Sequence, residues 1–195
     1  MTRTSDPLSL SLRLKDATYT LHEDLDKGIM AHGLFSNADK YKSFVKLQYL
    51  FHRDANALYN HAQLLEIIPD LTARNRFTHV CQDMQDLGLP FPEDVSSVDT
   101  PDASTAAGWL YVAEGSKLGA NFLTKLVEKL GFTDTFGARH LAADPGGRGA
   151  SWNAFKSAID HAGFDPVLAT TGARAAFMRV KKYMMTPDLV SSLPA

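Results

Sequence analysis

The sequence predicts an all-α fold, and three observations carry that reading. Apolar residues recur at helical spacing along most of the chain, no stretch alternates in the manner of a β-strand, and the strongest Pro and Gly signals fall between the periodic segments. The 195 residues suit a single domain spanning 1–195, with short flexible tails expected at 1–6 and 187–195.

Each element has its own local signal. In "SDPLSLSLRLKDATYTLHEDLDKG", Asp6 suits a helix N-cap and Pro7 the first helical position. Leu14, Ala17 and Thr18, Leu21 and Leu25 then form an apolar stripe, with Gly28 as the expected stop. Ser36 and Asp39 have capping-box spacing at the start of a second helix expected to run unbroken to Pro69. A third helix is expected over 72–87, closed by Gly88, followed by the polar loop "LPFPEDVSSVDTPDAS". A long helix over 103–130 stops at Gly131. "DTFGARHLAADPGGRGAS" reads as a loop with at most one short turn, and two last helices are expected over 151–162 and 166–185.

Composition excludes several classes. Apolar residues make up 45%, charged residues 22%, and the net charge is −2, so there is no basic excess to attract nucleic acid or an anionic membrane. No run approaches the length of a membrane span, and the first residues do not form a signal peptide. Cys81 is the only cysteine, so no internal disulfide is possible and a cytoplasmic location is the expectation. No glutamate begins a Glu-x-x-His pair, against a ferritin-like di-iron site, and "HEDLD" is not a zinc-protease motif.

The chemistry-bearing candidates lie on two helices. His22 borders the stripe of the first, with Asp26 one turn later to fix its tautomer and leave the other ring nitrogen free for a metal; a surface His–Asp pair is the plain alternative. Lys15 lies two turns before it. On the long helix, Gly115 and Gly119 open one face at a cost of about 1 kcal/mol each relative to alanine. Close packing, a bend near Gly115–Ser116 and a flat ligand pressed on the backbone all remain open on spacing alone. Tyr111 shares that face. His32, His79, His140 and His161 read as solvated, and His52 and His61 as ordinary helix residues.

"GWLYVAEGSKLGA" resembles the distal helix of bacterial haem oxygenases, and "TLHEDLD" resembles the segment that carries their proximal histidine. The resemblance implies a helical bundle that binds haem b between a proximal and a distal helix, as both substrate and cofactor. With O₂ and electrons from a ferredoxin or flavodoxin and an NADPH-dependent reductase, such enzymes release biliverdin, CO and ferrous iron. It also implies His22 as iron ligand, Asp26 as its partner, and Gly115, Ser116 and Gly119 as the distal wall that steers O₂ toward a meso carbon. Ser116 stands where some relatives carry an aspartate, which shifts proton delivery onto ordered water supported by Arg76 and His52. Lys15 and Tyr111 match the propionate anchors of members that cleave at the α position, implying biliverdin IXα; Trp152, Phe155 and Phe177 are candidate pocket aromatics. Arg13, Lys15, Lys117 and Lys125 could face an acidic electron donor. A monomer is expected. The alternatives are a haem carrier of the same fold without turnover, and a related thiamine-degrading enzyme, for which Cys81 has no evident base.

Overall fold

The computed structural model describes residues 8–92 and 102–186. Among them are seven α-helices and no strand; the only β-type pairing is the isolated bridging of Thr133 to Phe136 and Gly137. The expected cap at Asp6 and Pro7, both tails and most of the polar loop after Pro92 lie outside the described residues.

Helix α1 spans Leu10–Ala31, and its first turn is held from outside the helix. The amide and hydroxyl of Ser11 donate to the Asp160 carboxylate at 2.7 and 2.9 Å. Gly28 does not stop α1 but sits inside it, and the chain turns at Gly33 in the left-handed region. Helix α2 (Ala38–Ala55) is capped by Asn37, whose side chain accepts from the Lys40 amide, in place of the Ser36–Asp39 box.

The long second helix expected from the sequence is divided. A 3₁₀ turn at Asn56–Asn60 follows α2, then the short α3 (Ala62–Ile67). Tertiary demands override helical periodicity here: Leu58 and Tyr59 are both fully buried, and the Asn75 side chain donates to that of Asn56. The third helix is shortened for a similar reason. Residues Thr72–Arg74 form a 3₁₀ turn, and the Asn75 side chain accepts from the Phe77 amide to start α4 (Phe77–Asp86).

Helix α5 (Ala103–Glu128) is capped by Asp102, which accepts from the Ser104 and Thr105 amides, and ends before Gly131 as expected. Helix α6 (Arg148–His161) begins one turn earlier than expected, and the loop before it holds one 3₁₀ turn, Arg139–Leu141. Helix α7 (Pro166–Met184) opens on an Asp165 cap with Pro166 in its first turn.

Helices α1 and α5 both lie on α7, and the α5–α7 contact is the most extensive in the molecule. Small residues set that contact: Ala106, Ala107 and Gly108 on α5 face Ala169, Gly172, Ala173 and Ala176 on α7, all buried. A Cβ on Gly108 would lie 1.8 Å from the Ala169 carbonyl oxygen, and one on Gly172 would lie 2.1 Å from that of Thr105. The main core, around Leu14, Phe51, Leu58, Trp109, Leu110 and Phe155, surrounds this backbone contact. A second cluster of Tyr41, Phe44, Val80, Met84 and Phe132 joins α2, α4 and the loop after α5.

This packing separates the glycines of α5 by role. Gly108→Ala is expected to lower stability by about 3 kcal/mol or more, because backbone cannot yield to the new methyl group. Gly119→Ala, where an added Cβ meets nothing within 4 Å, is expected to be neutral or to stabilise by up to about 1 kcal/mol. Urea midpoints of the two variants measure the contrast; equal losses would contradict this assignment.

Candidate active site

One face of α5 changes its surroundings along its length. Residues 108, 115 and 119 fall within roughly 40° of one another around the helix. At Gly108 that face is pressed on α7, at Gly115 an added Cβ would meet only the rim of Trp152 at 3.5 Å, and at Gly119 it would meet nothing. The helix runs on unbroken across both glycines. Helix–helix packing therefore explains Gly108, which the sequence reading had not singled out, and does not explain Gly115 or Gly119. Two large apolar side chains are exposed beside it, Phe122, 58% accessible, next to the stripe and Leu118 farther round the helix. A bare backbone edged by exposed apolar groups is a surface shaped for a flat apolar ligand.

His22 lies on α1 with its imidazole substantially exposed, at 62%. Its Nδ1 faces Asp26 at 3.2 Å, and the ring stands edge-on to Phe177 of α7 with centroids 5.9 Å apart. Nε2 has no partner among the described residues. The expected His22–Asp26 pair is thus formed, with the second nitrogen open to a ligand.

Lys15 is exposed on the same helix. Tyr111 is half-buried beside Trp152, ring centroids 5.2 Å apart. Burial, with the negative charges of Asp16 and Asp160, pushes its phenol up to about 12, so it remains a hydrogen-bond donor at neutral pH. Trp152 in turn stacks on Phe155, which is fully buried in the core and supports it from behind. The Ser116 hydroxyl donates to the Ala113 carbonyl at 2.8 Å, so its proton is already committed.

Arg76 and His52 do come together, in a buried polar region reached from α2, α4 and the loop before α6. Arg76 pairs with Asp144 and donates to the Ala142 carbonyl, while its Nε has no hydrogen-bond partner. The His52 Nδ1 is likewise buried without one. Burial first, then the charges of His140, Lys117, Arg76 and His79, hold the His52 imidazole well below the ordinary histidine range.

Two expectations are corrected in this region. His140 is not solvated but buried: its Nδ1 lies 2.7 Å from Asp83, leaving Nε2 without a partner. Burial alone would raise the Asp83 carboxyl, but hydrogen bonds from the His140 ring and from the His140 and Arg139 amides hold it below the usual range. Lys117 does not face an external partner. It is 6% exposed and pairs with Glu114 at 2.6 Å. Neither burial was legible from the sequence: His140 meets Asp83 57 residues away, and Lys117, though paired with Glu114 one turn before it, is covered by Arg74 and Tyr59. Arg13, Lys15 and Lys125 are exposed, as expected.

The chain matches known proteins along nearly its whole length. The family model described as Heme oxygenase matches residues 8–186. The chain is 40% identical over 174 residues to the heme oxygenase PigA of Pseudomonas aeruginosa, covering 87% of this chain and 88% of that one. It also superposes on a heme oxygenase from Neisseria meningitidis, solved in NO- and CO-bound forms, with a TM-score of 0.87 and 36% identity over 96% of this chain and 94% of the other. The chain belongs to the haem oxygenase family, and it is an oxidoreductase that acts on haem. Among the described residues no helix is long and apolar enough to cross a membrane.

The depressed His52 basicity has a measurable consequence. The unfolded imidazole takes up a proton below about pH 6.5 while the folded one does not, so stability is expected to fall as pH drops through that value. One such group contributes up to about 1.4 kcal/mol per pH unit. Urea midpoints of the ligand-free protein at about pH 7.5 and about pH 5.5 should show the loss, and His52→Gln should flatten it.

Proposed function

We propose that this enzyme cleaves haem to biliverdin IXα, CO and ferrous iron, holding haem between α1 and α5. The observation that carries the reading is the combination of an exposed His22 on α1 with an α5 backbone face that is open at Gly119 and bordered only by the Trp152 rim at Gly115. When bound, haem supplies the iron that takes up O₂ and electrons, and its own macrocycle is what becomes oxidised.

The chain's residues divide the remaining work. Asp26, 3.2 Å from the His22 Nδ1, favours the tautomer that would leave the Nε2 lone pair for the iron, and Phe177 packs against the ring. Gly115 and Gly119, lacking side chains, would let the α5 backbone approach a bound haem closely and so limit the space available to O₂ above it. Ser116 cannot act as the acid with its proton held by Ala113, but its oxygen can still accept from water. Arg76 Nε and the His52 Nδ1 are buried polar atoms without a protein partner, which ordered water would satisfy and so extend a proton route toward the site.

Position along the macrocycle edge is set by charge. Haem is asymmetric through its propionates, so the groups that bind them choose the meso carbon. Lys15 supplies a cation and Tyr111 a protonated phenol for those carboxylates. Trp152, backed by Phe155, lines the end next to Tyr111. Electrons come from a ferredoxin or flavodoxin with an NADPH-dependent reductase, in the cytoplasm, and the enzyme works as a monomer.

Haemin followed by ascorbate is the direct test. A shifted Soret band that decays into broad red bilin absorption is expected, and a stable haem spectrum would refute turnover. His22→Ala should remove the histidine-ligated spectrum; if that spectrum persists, the ligand is another residue. Lys15→Asn with Tyr111→Phe should redistribute the product among biliverdin isomers, read by chromatography, while an unchanged single isomer would dismiss these two anchors.

A further inference from the structure

The turn of α5 that carries Gly115 and Ser116 is gripped from the interior by a charge network that the steps above do not use. Glu114 is 2% exposed and has three partners. Its Oε1 accepts from the Tyr59 hydroxyl at 2.9 Å and pairs with Lys117 Nζ at 2.6 Å, and its Oε2 pairs with Arg74 Nη1 at 3.2 Å. Lys117 Nζ also donates to the Arg74 carbonyl at 2.6 Å. Arg74 extends the network outward: Nη1 donates to the Ser151 hydroxyl at 2.9 Å and its carbonyl at 3.2 Å, and the guanidinium forks onto Asp70.

The placement of these bonds is informative. They begin at Glu114 and Lys117, which flank Gly115 and Ser116, and they end on two 3₁₀ turns and on α6. Ser151 adjoins Trp152, whose ring is the nearest protein group to the Cβ position of Gly115. One guanidinium therefore ties together the distal backbone and the aromatic beside it. Stability alone is a poor reason for this arrangement. Burying such charges is costly, and a packed apolar cluster of similar size serves a core as well. A glycine pair, however, removes the side chains that would otherwise hold this part of the helix in register.

We infer that Glu114 is a positioning residue: through Tyr59, Arg74 and Lys117 it fixes the height and rotation of the Gly115–Gly119 backbone over the haem. The inference rests on haem binding to that face. Without the carboxylate, Lys117 and Arg74 repel each other beside the glycine turn, and the backbone has several settings in place of one. The cost falls on the geometry above the macrocycle more than on haem affinity, since His22, Lys15 and Tyr111 are untouched.

The test uses full-length Glu114→Gln and Tyr59→Phe, each loaded with haemin. Infrared spectra of the ferrous CO complexes report the height and polarity of the distal face. The parent is expected to give one narrow C–O stretching band and a single biliverdin isomer. Glu114→Gln should broaden or split that band, mix the isomers and slow turnover about tenfold, with haemin affinity held within about threefold. Tyr59→Phe, which removes one hydroxyl, should do the same to a smaller degree, and it decides the matter if Glu114→Gln does not fold. Parent-like bands and isomers in the folded variants, with loss confined to the thermal midpoint, would overturn the positioning role. A parent chain that forms no haem complex would instead refute the haem reading itself.

Discussion

The backbone contact between α5 and α7 is the constraint on which the other features depend. With no Cβ at Gly108 or Gly172, two helices meet at carbonyl distance, and each then has a fixed direction away from the crossing. Because the face of α5 that bears Gly108 also bears Gly115 and Gly119, the same stripe that seals against α7 at one end opens at the other. Helix α1 rests on the same α7 and carries His22 against Phe177. The relative placement of the histidine on α1 and the glycine face of α5 is therefore set by where α7 holds the two helices.

Polar groups inside the molecule follow the same layout. Among the described residues, apart from Asp54, which pairs with Arg53 and Arg179 between α2 and α7, the buried charges fall into two groups. Glu114, Lys117 and Arg74 lie behind the glycine turn, and Arg76, His52, Asp83 and His140 lie beyond them toward the loop before α6. Lys117 belongs to both groups, since its charge is paired by Glu114 and also contributes to lowering the basicity of His52. Several of these side chains keep a buried atom without a protein partner, which is costly in a core that exists only for stability. Concentrating that cost on one side of α5 is consistent with a wet interior face serving a site.

How much of this was legible in the sequence differs by kind of signal. Local chemistry spoke clearly: the Asp165–Pro166 start of α7, the Gly88 and Gly131 stops and the His22–Asp26 pair are set by neighbours a turn away. Remote chemistry did not. The break after Ala55 depends on Asn75 and on the burial of Tyr59 against Glu114, and no periodicity within 38–67 announces either. For the same reason Lys117 read as a surface charge and His140 as a solvated histidine, although each has its partner inside. The first turn of α1 likewise has a remote partner, Asp160 on α6.

The glycines show how a structure separates readings that a sequence leaves level. Glycine four residues from glycine on a helix says only that one face lacks side chains. Whether protein or ligand fills that face depends on what stands opposite, and an added Cβ is a probe of it. At Gly108 and Gly172 that probe strikes backbone, so those glycines belong to the fold. At Gly119 it strikes nothing, so the roughly 1 kcal/mol given up in helix propensity is not returned by any contact within the chain. A cost borne in the free protein and not recovered there is one that contact with a bound ligand would recover. The open stretch of α5 at Gly119 is therefore what supports the proposed contact with a flat apolar ligand, a contact that helix packing alone would not call for.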